Sequence, residues 1–256
     1  MKNFHFLVGM PRAGNTLFSS ILNQNKEILV TANSPVCDML HNLNSIKYSP
    51  TFNNFPNEES INNVIKNVFN NYYSNTNAKH ILDRSTWGIP DNLQYIMDYV
   101  TKDFKCVVLD RPVIEVIASF IKHANENPNN YINFKGDTIE KRADFLMDYN
   151  SMICREYLSI KSLKTDFKNH ILVINYDDLV SDTENVIKGV YQFLNIEPFK
   201  HHYEKLNQLE VNGVKYNDIE VLGSELHKIR EDKIEKQNYK IEDILPQSVI
   251  DKYKKW

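Results

Sequence analysis

Gly9-Met10-Pro11-Arg12-Ala13-Gly14-Asn15-Thr16 is the stretch on which the fold turns. It follows an apolar run over residues 4–8 and precedes a segment in which Leu17, Ile21 and Leu22 share one helical face. In a strand, glycine loop and helix placed in that order, successive backbone N–H groups and the helix N-terminus form a concave anion site. The phosphate loop of nucleotide hydrolases reads Gly, four residues, Gly, Lys, then Ser or Thr. Here Asn15 occupies the lysine slot, and a positive charge stands three residues earlier, at Arg12. Arginine is always ionised and can give two parallel hydrogen bonds, so Arg12 is expected to stabilise charge and not to act as a base. Each oriented donor to a charged oxygen is worth roughly 1.5–3 kcal/mol, so a few of them hold a phosphate without a cluster of lysines.

Outward from the loop, three more apolar runs, over residues 80–82, 105–109 and 171–175, read as buried strands, each followed by a helical pattern. That alternation predicts an α/β fold: a P-loop-like parallel sheet flanked by helices, with helical insertions, in a single domain over residues 1–256. Pro112 suits the first turn of a helix whose apolar residues are Val113, Val116, Ile117, Phe120, Ile121 and Ala124. Residues 137–163 read as one long helix, and Ser181-Asp182-Thr183-Glu184 as a capping box opening another. The Asn-, Ser-, Thr- and Tyr-rich residues 46–77 read as a surface insertion with one helix over 59–72, and residues 205–240 as a long polar loop or lid.

With 42% hydrophobic residues and 11% aromatics among 256, the chain can bury a large core. A net charge of -3 implies no general attraction to nucleic acid. Cys37, Cys106 and Cys154 form neither a metal pattern nor a disulfide framework, and no apolar run reaches membrane-spanning length. The expectation is a reduced, cytoplasmic protein with no nucleic-acid or membrane partner.

The loop resembles the 5′-phosphosulfate loop of sulfotransferases, which reads roughly P-[KR]-[ST]-G-[ST]-[TS]-[LW]. Pro11, Arg12, Gly14, Thr16 and Leu17 match, while Ala13 and Asn15 depart and cost one hydroxyl. Val107-Val108-Leu109-Asp110-Arg111-Pro112 with Ser119 is similar to the family's second signature, an Arg at a strand end and a Ser eight residues on. Tyr176-Asp177-Asp178-Leu179, then Phe193-Leu194, resembles a third, and Asp83-Arg84 with Trp87 a fourth. A late basic segment, Leu226 to Arg230, resembles one that folds over the nucleotide.

The resemblance implies 3′-phosphoadenosine 5′-phosphosulfate (PAPS) as donor, adenosine 3′,5′-bisphosphate as product and no metal. It implies donor contacts from Arg12, Ala13, Gly14, Asn15, Thr16 and Leu17. It adds Arg111 and Ser119 on the 3′-phosphate, Tyr176 near the adenine, and Arg230. Arg12 and Arg84 would stabilise the transferring group. For the base, several family branches place a Glu after the first helix, where residues 30–35 here hold no carboxylate; others use a His where Thr86 stands. Asp83 is the first candidate, with Asp38 and His41 behind it, although an adjacent Arg84 fits a salt bridge and would lower its basicity. The acceptor is a small molecule, carbohydrate or peptide, met by residues 34–77, with Tyr48, Tyr72, Tyr73 and Trp87 as possible walls. Two other readings stand: a P-loop kinase or NTPase, with Asp110 on Mg²⁺, and a non-catalytic nucleotide-binding protein on the same scaffold.

Overall fold

The computed structural model describes residues 2–217, 219–224, 234–236 and 239–256. Strand β1 (Asn3–Gly9) lies at the centre of the sheet, and its Phe6, Leu7 and Val8 have no exposed surface. A strand covered on both faces reads as a continuous apolar run, which is why this one was legible. Gly14 then starts helix α1 (Asn15–Leu22), and the chain moves out to strand β2 (Ile28–Val30). Helices α2 (Val36–Ser45), α3 (Pro50–Asn54), α4 (Glu58–Lys66) and α5 (Val68–Tyr72) precede strand β3 (His80–Arg84). Helix α6 (Pro90–Tyr99) crosses to strand β4 (Cys106–Asp110), and helices α7 (Val113–Glu126), α8 (Ile139–Leu146) and α9 (Met152–Asp166) lead to strand β5 (Ile171–Asn175). Helices α10 (Tyr176–Ser181) and α11 (Thr183–Leu194) follow.

The five strands run in the order β2-β3-β1-β4-β5, and every neighbouring pair is parallel. After β1 the chain leaves toward β2; after β4 it leaves the other way, toward β5. That reversal puts a topological switch point between the C-terminal ends of β1 and β4, where open α/β sheets bind ligands. The loop at Arg12 and the turn at Arg111 flank this point. Beyond the sheet lie a short antiparallel ladder of β6 (Glu210–Val211) and β7 (Val214–Lys215), then helices α12 (Ile219–Leu222) and α13 (Gln247–Tyr253). Among the described residues no helix is long and apolar enough to cross a membrane.

Several local expectations are corrected. Strand β2 went unread because three residues carry no periodicity. The single helix expected over 137–163 is two, α8 and α9. Between them the Asp148 side chain accepts from the Asn150 N–H (3.0 Å) and Ser151 Oγ from the Cys154 N–H (3.1 Å). Such side-chain bonds offer the backbone an alternative to the helix. The helix expected over 59–72 is broken at Asn67 into α4 and α5. The capping box does not form: Asp182 is the N-cap of α11, its carboxylate accepting from the Asn185 side chain and from no backbone N–H of the first turn, and the Ser181 hydroxyl donates back to Asp177 O at 2.8 Å. Part of the expected loop over 205–240 is the β6–β7 ladder and α12.

Candidate active site

The glycine loop is shaped by its own residues. Gly14 has φ 84°, in the left-handed region, and a Cβ there would meet Leu179 Cδ2 at 2.9 Å and Tyr176 Cδ2 at 3.4 Å. Both reasons demand glycine. Arg12 also has a positive φ, 67°, a conformation that costs a non-glycine residue of order 1–3 kcal/mol and persists where the surroundings enforce it. The enforcing bond is visible: Arg111 Nη1 donates to Arg12 O at 2.7 Å. The Arg12 side chain then runs to helix α7, where its Nε donates to Ser119 Oγ at 3.1 Å. Arg111 Nε pairs with Glu115 Oε2 at 3.1 Å, and its guanidinium lies 4.2 Å from the centre of the Tyr176 ring. Arg12, Gly14, Arg111, Ser119 and Tyr176, drawn from three segments, therefore converge at the switch point. Ala13 is buried, while Asn15, Thr16 and Leu17 are half-buried in the first turn of α1.

Asn15 is more than a missing hydroxyl. Its Nδ2 donates to Met10 O at 2.8 Å, bracing the loop, and its Oδ1 accepts from Arg84 Nε at 3.2 Å. Arg84 also reaches Ala32 O at 2.9 Å through Nη1 and Gly9 O at 3.4 Å through Nη2. A neutral amide, donor and acceptor at once, thus ties the strand-end cation to the loop, which a lysine could not do.

Asp83 faces away from Arg84, because neighbouring strand residues point to opposite sides of a sheet. It has no exposed surface. Its carboxylate accepts from Ser34 Oγ at 2.7 Å, from Trp87 Nε1 at 2.9 Å and from the Tyr73 hydroxyl. Burial pushes its pKa up to about 6 against these three donors. Both expectations for Asp83 are therefore corrected: it makes no ion pair with Arg84, and it is sealed from any acceptor. Tyr73 (4% exposed) and Trp87 (0%) belong to this buried cluster and line no open wall, whereas Tyr48 (78%) and Tyr72 (39%) are exposed. His41, on α2, bonds through Nε2 to Asn92 Oδ1 at 3.0 Å, and Asn92 Nδ2 donates to Thr86 O at 2.7 Å. Asp38 is exposed on the same helix. Asp110 forms an ion pair with Lys164. Arg230, with the basic segment around it, lies outside the described residues.

Sequence reasoning missed Glu156 on α9, buried at 5% exposure, with Arg84 among the charges acting on it. No motif marks it; the signal available was only a carboxylate among the apolar positions of a helix.

The model of the sulfotransferase family matches residues 5–201. The chain belongs to the sulfotransferase family. Solved sulfotransferases share its fold: the sulfotransferase domain from the curacin biosynthetic pathway is 16% identical, covers 78% of this chain and 76% of its own, and gives a TM-score of 0.51. The sulfotransferase from Alicyclobacillus acidocaldarius is 14% identical, covers 79% of this chain and 84% of its own, with a TM-score of 0.51. No curated protein matches. Membership implies sulfuryl transfer as the chemistry, and the P-loop-like α/β fold agrees with it.

Proposed function

We propose that this sulfotransferase moves the sulfuryl group of PAPS to a hydroxyl or amine of a small-molecule, carbohydrate or peptide acceptor by in-line displacement. The observation that carries the reading is the Arg12 bridge: its carbonyl holds Arg111 and its side chain holds Ser119. One basic wall thereby runs from the glycine loop to the middle of α7. Ser119 stands eight residues beyond Arg111, about 12 Å of helix rise, so the long Arg111 side chain is what lets the two share one phosphate. The loop amides and Thr16 would take the 5′-phosphosulfate, with Arg111 and Ser119 on the 3′-phosphate and Tyr176 beside the adenine.

In the transfer, negative charge grows on the oxygen that bridges sulfur to the leaving phosphate. Preorganised donors aimed there are worth about 2.7–4 kcal/mol each. Arg12 and the loop amides fit that task, and Arg84, fixed by Asn15, adds a charge from the neighbouring strand end. The leaving bisphosphate is a stable anion, so the chemistry asks for no metal.

Calorimetric titration with adenosine 3′,5′-bisphosphate, AMP and Mg-ATP tests the donor. The bisphosphate should bind best, and Arg111→Ala should weaken it at least tenfold, about 1.4 kcal/mol. Equal binding of AMP would remove Arg111 and Ser119 from the 3′-phosphate; tighter Mg-ATP would favour phosphoryl chemistry. Bisphosphate binding with no turnover over a broad acceptor panel would favour a non-catalytic binder.

A further inference from the structure

Arg111 already carries a counter-ion. Its side chain is 4% exposed, with Nε on Glu115 Oε2 at 3.1 Å and Nη1 on Arg12 O at 2.7 Å. Arginine holds a phosphate best through two parallel N–H bonds from one edge. The usable edges run from Nη2 to Nε and from Nη2 to Nη1, and each has one nitrogen engaged. Of the two partners, Arg12 O is fixed in the backbone of the glycine loop. The Glu115 carboxylate ends a flexible side chain that is 21% exposed. Glu115 stands four residues after Arg111 and four before Ser119, in the first turn of α7. A negative charge therefore sits between the two groups proposed to share the 3′-phosphate. Ser119 Oγ accepts from Arg12 Nε, which leaves its hydroxyl hydrogen for an anion. A carboxylate and a phosphate side by side on one buried guanidinium repel each other strongly.

The structure also holds a second partner for the carboxylate. Lys236 pairs with Asp177 at 2.6 Å, next to Tyr176, and Glu115 and Arg111 are among the other charges acting on it. The side chains of that pair are 47% and 60% exposed, and an exposed pair holds its partners weakly. Lys236 can therefore exchange Asp177 for Glu115 at little cost.

We infer that Glu115 is the residue through which the site selects a 3′-phosphate: it neutralises Arg111 between turnovers, and the arriving 3′-phosphate displaces it onto Lys236. The inference rests on the PAPS reading above. A nucleotide without a 3′-phosphate leaves the pair of Arg111 and Glu115 intact and gains nothing there. A nucleotide with one replaces a carboxylate by a more highly charged phosphate monoester. The pair re-forms as the bisphosphate leaves, so Arg111 is never buried without a counter-charge and release is quickened.

Calorimetric titration of wild type, Glu115→Gln, Lys236→Met and the double variant with adenosine 3′,5′-bisphosphate and with AMP tests the exchange. Glu115→Gln keeps an oxygen for Arg111 Nε and removes the charge that must leave. It should bind the bisphosphate about fivefold tighter or more, with AMP within about twofold of wild type. Bisphosphate release, followed by stopped flow, should slow by about the same factor. Lys236→Met should weaken the bisphosphate about threefold, and the loss should vanish in the Glu115→Gln background, as expected of two side chains that act through each other. Weaker or unchanged bisphosphate binding in Glu115→Gln overturns the inference and leaves Glu115 as a strut for Arg111. Equal tightening of AMP overturns the selection of a 3′-phosphate. A Lys236→Met loss that persists in the double variant overturns the exchange and puts Lys236 on the phosphate itself. Wild type that binds the bisphosphate no better than AMP overturns the donor reading, and this one with it.

Discussion

Around the donor loop, Gly14, Arg12, Arg111 and Ser119 come from two short stretches, and each bond among them joins a loop residue to a strand end or helix turn. Around Asp83, the donors Ser34, Tyr73 and Trp87 come from three separate segments, and all four side chains are buried. The first region keeps Arg12 half-exposed beside a glycine turn, with Arg111 buried behind it; the second closes its anion completely. Two charged clusters one strand apart thus differ in kind, one set beside the glycine turn that is proposed to take the donor and the other fixing the segments before α2 and after α5 to β3.

If that contrast is right, Asp83→Ala should be the most damaging change in either region. It strands three buried donors, and the loss should be on the order of 3–5 kcal/mol in a urea titration. A loss below about 1 kcal/mol would show that the closed cluster is not structural. Next comes the pH dependence of the same group. Its carboxyl is raised from 3.8 to about 6 by burial, so ionisation opposes folding. That cost is absent below pH 3.8 and complete above about 6, and stability should fall by roughly 3 kcal/mol over this window. Asp83→Asn should flatten that part of the curve. The smallest effect belongs to the donor side: Asn15→Ala removes two neutral-amide bonds and should cost about 1–3 kcal/mol of stability. It should also lower bisphosphate affinity, by freeing Arg84 from the loop; unchanged affinity would mean that the two regions are independent.

The glycine loop was legible because its geometry is written in adjacent residues, a glycine in left-handed backbone with a strand before it and a helix after it, whereas Arg111 and Ser119, on either side of the β4–α7 turn, were marked only by the family resemblance. The centre of the sheet was legible for the same reason, since fully covered strands are continuous apolar runs. Asp83 was misread because its neighbour in sequence, Arg84, lies on the other face of the strand. Its real partners are 49, 10 and 4 residues away. Glu156 carried a single weak signal, its helical spacing with the apolar Ile153, Ile160 and Leu163 of α9. Asn15 looked like a defect beside the lysine of nucleotide hydrolases, and only the paths to Met10 and Arg84 show it as a brace.

The contact of Gly14 with Tyr176 and Leu179 has a consequence for how the protein is made. The glycine loop is synthesised first, yet two of the side chains packed against it follow about 160 residues later. At 5–20 residues per second, a ribosome takes roughly 8–30 s to add that length of chain. For the first part of that interval, until β4 (Cys106–Asp110) is made, β1 also waits for one or both of its neighbours, so the nascent N-terminus carries an exposed apolar strand with a half-built loop at its end. Nascent chains stalled before residue 171 should hold no bisphosphate, and those stalled well beyond residue 194 should begin to.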